Sequence, residues 1–490
     1  MARVTDRLDA APAAADPDAG LTADELAAIT GGTLLVRSGR PVRDGAVDSR
    51  AVEPGNLFVA LPGKRTDGHS FVGAALAAGA AAALVARPPE AADLAGRDAT
   101  VVLVDDPLRA LQAVASAWRT RFDPLVVGIT GSIAKTSTKE AVATVLGAAM
   151  ATLRNEGNLN NEIGLPLTVL RLRSGHRAAV LEMGMYVGGE ISDLARIGRP
   201  EIGVVTAVQP VHLSRIGTIE AVERAKGELV EALPPDGVAV LNADDERVRR
   251  MAARTAADVV TYGFAEHADV RATQVRSRGV DGMHFDLRTA GGHRTVDIPT
   301  LGSLSVHNAL AAVAVGLAAG LTVEAIVRAL ANGWSAPHRA QLVTAGGITF
   351  VDDSYNASPG SVVAALELLA GLPGRRIAVL GEMLELGADH DDGHRRVGEA
   401  AAAVVDHLVV VGAGANGIAA GVGSGGQAAV PSDVVPDREA ARERLLELLR
   451  PGDVVLVKAS RGIALDLLVD DLVAALGGAG TPGPAQDHAP

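Results

Sequence analysis

The 490-residue chain contains no cysteine. Disulfide frameworks, zinc–thiolate sites and thiol nucleophiles are thereby excluded. Aromatic residues make up 2% of the chain, too few for the stacking platforms that hold single-stranded nucleic acid. Positive charge is also short: 45 Lys and Arg against 58 Asp and Glu leave a formal net charge of −13. That excludes a general nucleic-acid or anionic-membrane surface but leaves room for a local basic pocket around a phosphorylated small molecule. The longest apolar stretches, such as 74–86, are Ala- and Gly-rich and too short to span a bilayer. The first twenty residues lack the apolar centre of a signal peptide. The expectation is a cytoplasmic protein without stable membrane insertion. Residues 1–20 and 477–490, rich in Ala, Asp, Gly and Pro, read as disordered tails.

Core-forming residues are abundant, with 48% of the chain hydrophobic and most of that Ala, Val and Leu. A chain of this length predicts about three domains. Short β-branched runs alternate with Ala/Leu/Arg stretches, the pattern of α/β layers with parallel sheets. Three blocks emerge, at 21–123, 124–336 and 337–476. The first begins with a helix after Thr22, includes a strand at 56–60 and ends in a helix from Pro107 to about Phe122. The second opens with a buried strand at 124–128 and continues with strands at 178–181, 202–206 and 238–242. The third has strands at 348–352, 377–380, 407–411 and 453–457. Proline places the joints near Asp123-Pro124 and Ala336-Pro337.

The segment Gly128-Ile-Thr-Gly131-Ser-Ile-Ala134-Lys135-Thr136-Ser137 follows a strand and opens a helix. Free N–H groups and the positive dipole end at a helix start attract phosphate. Lys135 would lie against the β- and γ-phosphates, and Thr136 would offer its hydroxyl to Mg²⁺. The candidate nucleotide contacts are Gly128, Thr130, Gly131, Ser132, Ala134, Lys135, Thr136 and Ser137. The usual form of this motif needs glycine at 129 and 134, where this chain has Ile129 and Ala134. If residue 134 requires a positive φ, its Cβ costs about 1 kcal/mol.

Three polar residues follow at or near the ends of expected strands, the rim where open α/β sheets hold ligands. They are Glu182, His212 and Lys226. Each has an ordinary alternative: a surface acid, a structural hydrogen-bonder and a solvated helix lysine. Together they suggest a Mg²⁺ site. Lys226 contributes to one only if its charge is reversed, for instance as a carbamate formed with CO₂, and burial favours that reaction by lowering the lysine pKa.

These motifs resemble those of the Mur ligases. The phosphate loop through Glu140 and the segment Glu156-Gly-Asn-Leu-Asn-Asn-Glu-Ile-Gly-Leu-Pro166 carry the likeness first. Leu181-Glu-Met-Gly-Met185, Val211-His-Leu213, Ala225-Lys-Gly-Glu228, Leu241-Asn-Ala-Asp-Asp245 and Val306-His-Asn-Ala-Leu-Ala-Ala312 follow in family order. The third block adds Asp352-Asp-Ser-Tyr-Asn-Ala-Ser-Pro359, Val379-Leu-Gly-Glu-Met-Leu-Glu-Leu-Gly387 and Val457-Lys-Ala-Ser-Arg461. The first block adds Asp48-Ser-Arg50, 54–60 and Asp67-Gly-His69. Within the family the third block is similar to members that add D-alanyl-D-alanine to UDP-N-acetylmuramoyl-tripeptide. The Asp-Asn-Pro-Arg signature of the diaminopimelate- and lysine-adding relative does not occur.

The resemblance implies a three-domain α/β architecture: a UDP-substrate domain, a central ATP-binding domain and a C-terminal Rossmann-like domain. It implies an ATP- and Mg²⁺-dependent ligase that makes an acyl phosphate on the way to a peptidoglycan precursor, acting as a monomer. By position it implies Mg²⁺ ligands at Thr136, Glu182, His212 and carbamylated Lys226, and adenine contact at Asn308. Arg339 and Asp353 would reach the nucleotide. Asn158, Asn160 and Asn161 would line the site near phosphates and acceptor, with Tyr355 and Asn356 on the substrate side. Asp48, Ser49 and Arg50 would help hold the UDP part. Asp244, Asp245 and His307 also fit structural roles. Two family glycine positions hold Ala134 and Ala459. Rival readings are a ligase for another peptide and a catalytically silent nucleotide-binding homologue.

Overall fold

The structure, a computed structural model, describes residues 16–63, 66–211, 213–424 and 430–477. Most of both expected tails therefore lies outside the described residues, but 16–20 does not behave as a tail. The Ala19 carbonyl accepts from Arg121 and the Asp18 carboxylate from the Ser174 N–H. These partners lie over a hundred residues away and could not be read from local composition.

Strands fall into three sheets. The first runs Thr33–Val36, Thr100–Leu103, Ala82–Val85, Leu57–Val59, Gly45–Ala46, and only the Thr33–Val36 edge is antiparallel. The third runs Gln341–Ala345, Ile348–Asp352, Asp453–Lys458, Arg375–Gly381, His407–Val411, Ser432–Val435, parallel except at the first pair.

The central sheet has nine strands. Its parallel part places Leu125–Thr130 between Ala178–Glu182 and Ile202–Val205. Beyond Asp258–Gly263, three strands at Val270–Ser277, Met283–Thr289 and Gly292–Ile298 extend it, the last two antiparallel. This extension departs from the all-parallel expectation. Its strands are half-exposed and alternate in burial, as an antiparallel edge allows. Leu125–Thr130 is buried at every position, the mark of a parallel strand covered on both faces.

Helix starts follow local chemistry. Thr22 and Glu25 form a capping box at Ala23–Thr30, and Gly31 ends that helix in the left-handed region. Asp106 caps Pro107–Arg119, with proline at the first turn. This second helix joins two parts of the molecule. Trp118 is 1% exposed and belongs to a core that includes Leu57 and Leu84 of the first sheet together with Val126, Leu165 and Leu181 of the central part. Its Nε1 donates to the Leu172 carbonyl at 3.2 Å. Trp118→Ala should lower the unfolding free energy by about 3–5 kcal/mol, read from urea denaturation. A loss under about 1 kcal/mol would mean that the shared core closes without the indole.

Candidate active site

Leu125–Thr130 leads into a turn that the neighbouring strand shapes. Gly131 has φ +153°, and a Cβ there would sit 1.8 Å from the Thr206 hydroxyl oxygen. Only glycine fits. The Ser132 N–H donates to the Ala207 carbonyl at 2.7 Å, and the Thr206 hydroxyl donates to the Ile133 carbonyl at 2.6 Å. Ser132 Oγ donates to the Gln209 carbonyl and accepts from its N–H. Ala134 then caps the helix Lys135–Gly147 with φ +63°, ψ +2°. The condition posed by the sequence is met: residue 134 is left-handed. Ala459 differs, being buried at a strand end without positive φ. Gly128 lies inside the strand, where a Cβ would press on Leu229, Pro200 and Met183. Packing alone therefore accounts for glycine at this position, which is not among the residues that line the cavity described next.

A cavity of about 650 Å³ opens beside this turn, within the ordinary size range of small-molecule sites. Ser132, Ala134, Lys135 and Ser137 line it from the loop and helix, and Asn158, Asn160 and Asn161 from the next loop. Glu182, Lys226 and Asn308 complete the central wall. Arg339, Asp353, Tyr355 and Asn356 face it from the third block. Thr130, Gly131 and Thr136 are not in its lining, and Asp48, Ser49 and Arg50 lie apart from it. There Asp48 caps a short turn and pairs with Arg50 at 2.5 Å. His212 lies outside the described residues.

Charges in the cavity are unevenly satisfied. Lys135 Nζ donates to the Gly131 carbonyl at 2.7 Å. Burial lowers its pKa, Arg339 adds to that, and Glu182 opposes it. Lys226 is 2% exposed. Burial pushes its ammonium well below the usual lysine range, and Lys135 pushes the same way. Glu182 is 1% exposed; its Oε1 accepts from Asn160 at 2.6 Å while its Oε2 is buried with no partner among the described residues. A buried carboxylate oxygen with nothing to bind is costly. In a cavity that also holds a buried lysine favouring neutrality, it fits a site completed by a cation.

Glu182 is braced from behind. The strand Thr152–Arg154 pairs with 178–180 and then turns away. The Asn155 side chain continues the ladder in its place. Its Oδ1 accepts from the Glu182 N–H at 2.9 Å, and its Nδ2 donates to the Glu182 carbonyl at 3.1 Å. Lys139, wholly buried on the helix after the phosphate loop, donates to the Asn155 carbonyl at 2.6 Å and pairs with Glu140 at 3.0 Å. Loop helix and carboxylate are thus tied through one asparagine.

In the third block, His338 and Ala340 are both left-handed, with φ +57° and +50° on either side of Arg339. Strain of this kind persists only where surroundings over-determine it. Here His338 Nδ1 meets Asp352 at 2.7 Å, the Ala340 N–H donates to Asp353, and the Tyr355 N–H donates to the His338 carbonyl. The Asp352 contact also raises the His338 pKa. Lys458, 3% exposed, donates to Asp353 Oδ2 at 2.5 Å and to the Asn356 carbonyl at 3.0 Å. Asp244 accepts from the Phe264 and Ala265 N–H groups and meets His307 at 2.8 Å; Asp245 caps Glu246–Arg250. Their structural reading fits this geometry. Asn308 accepts from the Thr138 hydroxyl at 2.9 Å on the cavity wall.

Three family models match the chain in series: the Mur ligase family catalytic domain over 46–119, the Mur ligase middle domain over 129–316, and the Mur ligase glutamate ligase domain over 338–461. A UDP-N-acetylmuramoyl-tripeptide--D-alanyl-D-alanine ligase of Mycobacterium tuberculosis is 39% identical, with 93% of this chain and 98% of that protein covered. The chain belongs to the Mur ligase family. The ligase of the same name from Escherichia coli is 38% identical over 86% of this chain and 92% of its own. A crystal structure of MurF from Acinetobacter baumannii superimposes with a TM-score of 0.83 at 31% identity, covering 92% of this chain and 98% of that one. MurF ligase of Thermotoga maritima in complex with ADP gives 0.77 at 29% identity, covering 89% and 98%.

Four side chains of this Mur ligase escape assignment from sequence: Lys139, Asn155, Lys458 and Arg461. Lys139, Lys458 and Arg461 fall inside matched motifs, but their types alone read as solvated charges. Asn155 stands just before the Glu156–Pro166 motif, and only strand register reveals its ladder role. Asn155→Ala should lower stability by about 1–3 kcal/mol, because buried backbone groups lose their partners. It should also lower kcat roughly 100-fold through displacement of Glu182; an unchanged kcat in folded protein would show that Glu182 keeps its place unaided. Ala134→Gly should stabilise the protein by up to about 1 kcal/mol, since relief of left-handed strain outweighs the freedom gained by the unfolded chain. Matched urea curves for the two proteins would refute that.

Proposed function

We propose that this protein joins D-alanyl-D-alanine to the terminal carboxylate of UDP-N-acetylmuramoyl-tripeptide with cleavage of ATP to ADP and phosphate. The product is the pentapeptide precursor of peptidoglycan. One observation carries this reading most directly: the phosphate-loop lysine, a carboxylate with an orphaned oxygen and a buried lysine share one cavity whose far wall belongs to the third domain. The names and coverage of its relatives supply the substrates. In this reading 21–123 holds the uridine nucleotide, with Asp48, Ser49 and Arg50 among its contacts; 124–336 binds ATP and 337–476 receives the dipeptide.

The chemistry has two steps. An oxygen of the tripeptide's terminal carboxylate attacks the γ-phosphorus, and ADP leaves. The dipeptide amine then attacks the acyl carbon, loses a proton, and inorganic phosphate departs from the tetrahedral intermediate. A carboxylate is a poor electrophile, and phosphorylation supplies its leaving group. Lys135 and the N–H groups at the start of Lys135–Gly147 neutralise charge on the transferring phosphoryl group. Asn308 contacts the adenine, and Arg339 and Asp353 approach the nucleotide from the third domain. Asn158, Asn160 and Asn161 border phosphates and acceptor, with Asn160 also fixing Glu182. Walls from two domains exclude the water that would hydrolyse the acyl phosphate.

Thr136, Glu182, His212 and Lys226 would hold Mg²⁺. Glu182 Oε2, buried with no partner among the described residues, fits such an ion. A neutral Lys226 amine can add CO₂ and release a proton, giving an anionic carbamate in place of a cation. When bound, the metal supplies positive charge to the phosphoryl oxygens. No helix among the described residues is long and apolar enough to cross a membrane. We place the protein in the cytoplasm as a monomer.

Purified protein with ATP, Mg²⁺, D-alanyl-D-alanine and UDP-N-acetylmuramoyl-tripeptide should release phosphate only when all are present, with the pentapeptide detected by mass. Absence of product with every tripeptide variant would sink this reading. ATP binding without amide formation would favour the silent homologue.

A further inference from the structure

The third-domain wall contains a feature that nucleotide binding leaves unexplained. The Tyr355 ring carries two guanidinium groups, Arg339 at 4.2 Å and Arg461 at 4.9 Å from its centroid. Laid end to end, these distances place the two guanidinium carbons no more than about 9 Å apart. All three residues line the cavity. Neither arginine forms an ion pair with a described residue.

The other cations of the cavity are committed. Lys458 is held by Asp353 and the Asn356 carbonyl. Lys135 belongs to the phosphate loop, and Lys226 is buried under burial-driven pressure to be neutral. Arg461 remains, and its base is fixed. It opens the short turn Arg461–Ile463 directly after Ser460. The Ser460 N–H donates to the Glu382 carbonyl at 3.0 Å, and Ser460 Oγ accepts from the Leu384 N–H at 2.9 Å.

A dipeptide substrate has two ends with opposite needs. Its amine must reach the acyl phosphate, beside the cations that hold the phosphoryl group. Its carboxylate must meet a positive partner elsewhere, because an unpaired carboxylate in a closing cavity is costly. Two extended residues span at most about 7 Å. Two guanidinium groups no more than about 9 Å apart therefore lie within hydrogen-bonding reach of the two ends of one dipeptide. We propose that Arg461 receives the C-terminal carboxylate of D-alanyl-D-alanine, while Arg339, packed against the same Tyr355 ring, serves the phosphoryl end. The planar guanidinium suits a two-pronged grip on a carboxylate. The assignment rests on the ligase reading above and adds a charge requirement to it.

The test compares KM for D-alanyl-D-alanine and for D-alanyl-D-alaninamide, which lacks the terminal charge. Wild-type protein should show a KM for the amide roughly 30-fold or more above that for the acid. Arg461→Met should raise the acid's KM by a similar factor, leave the amide's nearly unmoved and leave KM for ATP unaltered. Arg461→Lys should restore part of the discrimination. Equal KM values for acid and amide in the wild type would overturn the assignment, whether or not the variants fold. So would an Arg461→Met protein that still discriminates. Failure of the wild type to use D-alanyl-D-alanine at all, with another amine accepted, would instead overturn the ligase reading and the assignment with it.

Discussion

The active site depends on a close approach of backbone to side chain at Gly131. The turn after Leu125–Thr130 has no room for a side chain, because Thr206 of the adjacent strand occupies that space. The same threonine holds the Ile133 carbonyl, and Ala207 and Gln209 hold Ser132. The turn is therefore shaped by its neighbour before any phosphate arrives, and its donors need little reorganisation on binding. Lys135, Glu182 and Lys226 all take their places relative to this point. Ala134 is the one residue of the turn in an unfavourable backbone region, and the helix that follows begins there without a side-chain cap.

Much of this was legible in the sequence, for reasons that differ by element. Buried strands such as Leu125–Thr130 and Val238–Asn242 announce themselves as short apolar runs, and the phosphate turn by glycine, lysine and threonine at a strand–helix junction. The capping box at Thr22 follows from four residues of local sequence. Long-range geometry stayed hidden. Gly128 looks like a loop glycine until its packing against Leu229 is seen. The edge strands from 270 to 298 alternate too weakly to stand out. Asn155 owes its role to a partner 27 residues away. The strain at His338 and Ala340 has no compositional sign, since neither is glycine.

The two halves of the site share a construction principle. Each has a wholly or nearly buried lysine behind its working residues: Lys139 behind Asn155 and Glu182, and Lys458 behind Asp353 and Asn356. Burying an ammonium is costly unless it is paired and hydrogen-bonded. Both lysines satisfy that condition with a carboxylate and with backbone carbonyls of the loop they support. A side chain with three donors can hold several acceptors of an irregular loop at once. Of the cations that line the cavity, Arg339 and Arg461 form no ion pair with a described residue and so remain open to ligands.

The helix Pro107–Arg119 carries a consequence for how the molecule comes apart. Its indole is packed into a core drawn from both the first and the central sheets, whereas the third sheet encloses separate apolar clusters on its two faces. The borders of cooperative unfolding units follow shared cores, not sheet membership. The first two sheets are thus coupled in one such unit, and the third can lose its order while the phosphate turn stays formed. A protease acting during partial denaturation would then cut within one of these two units while the other keeps its fold.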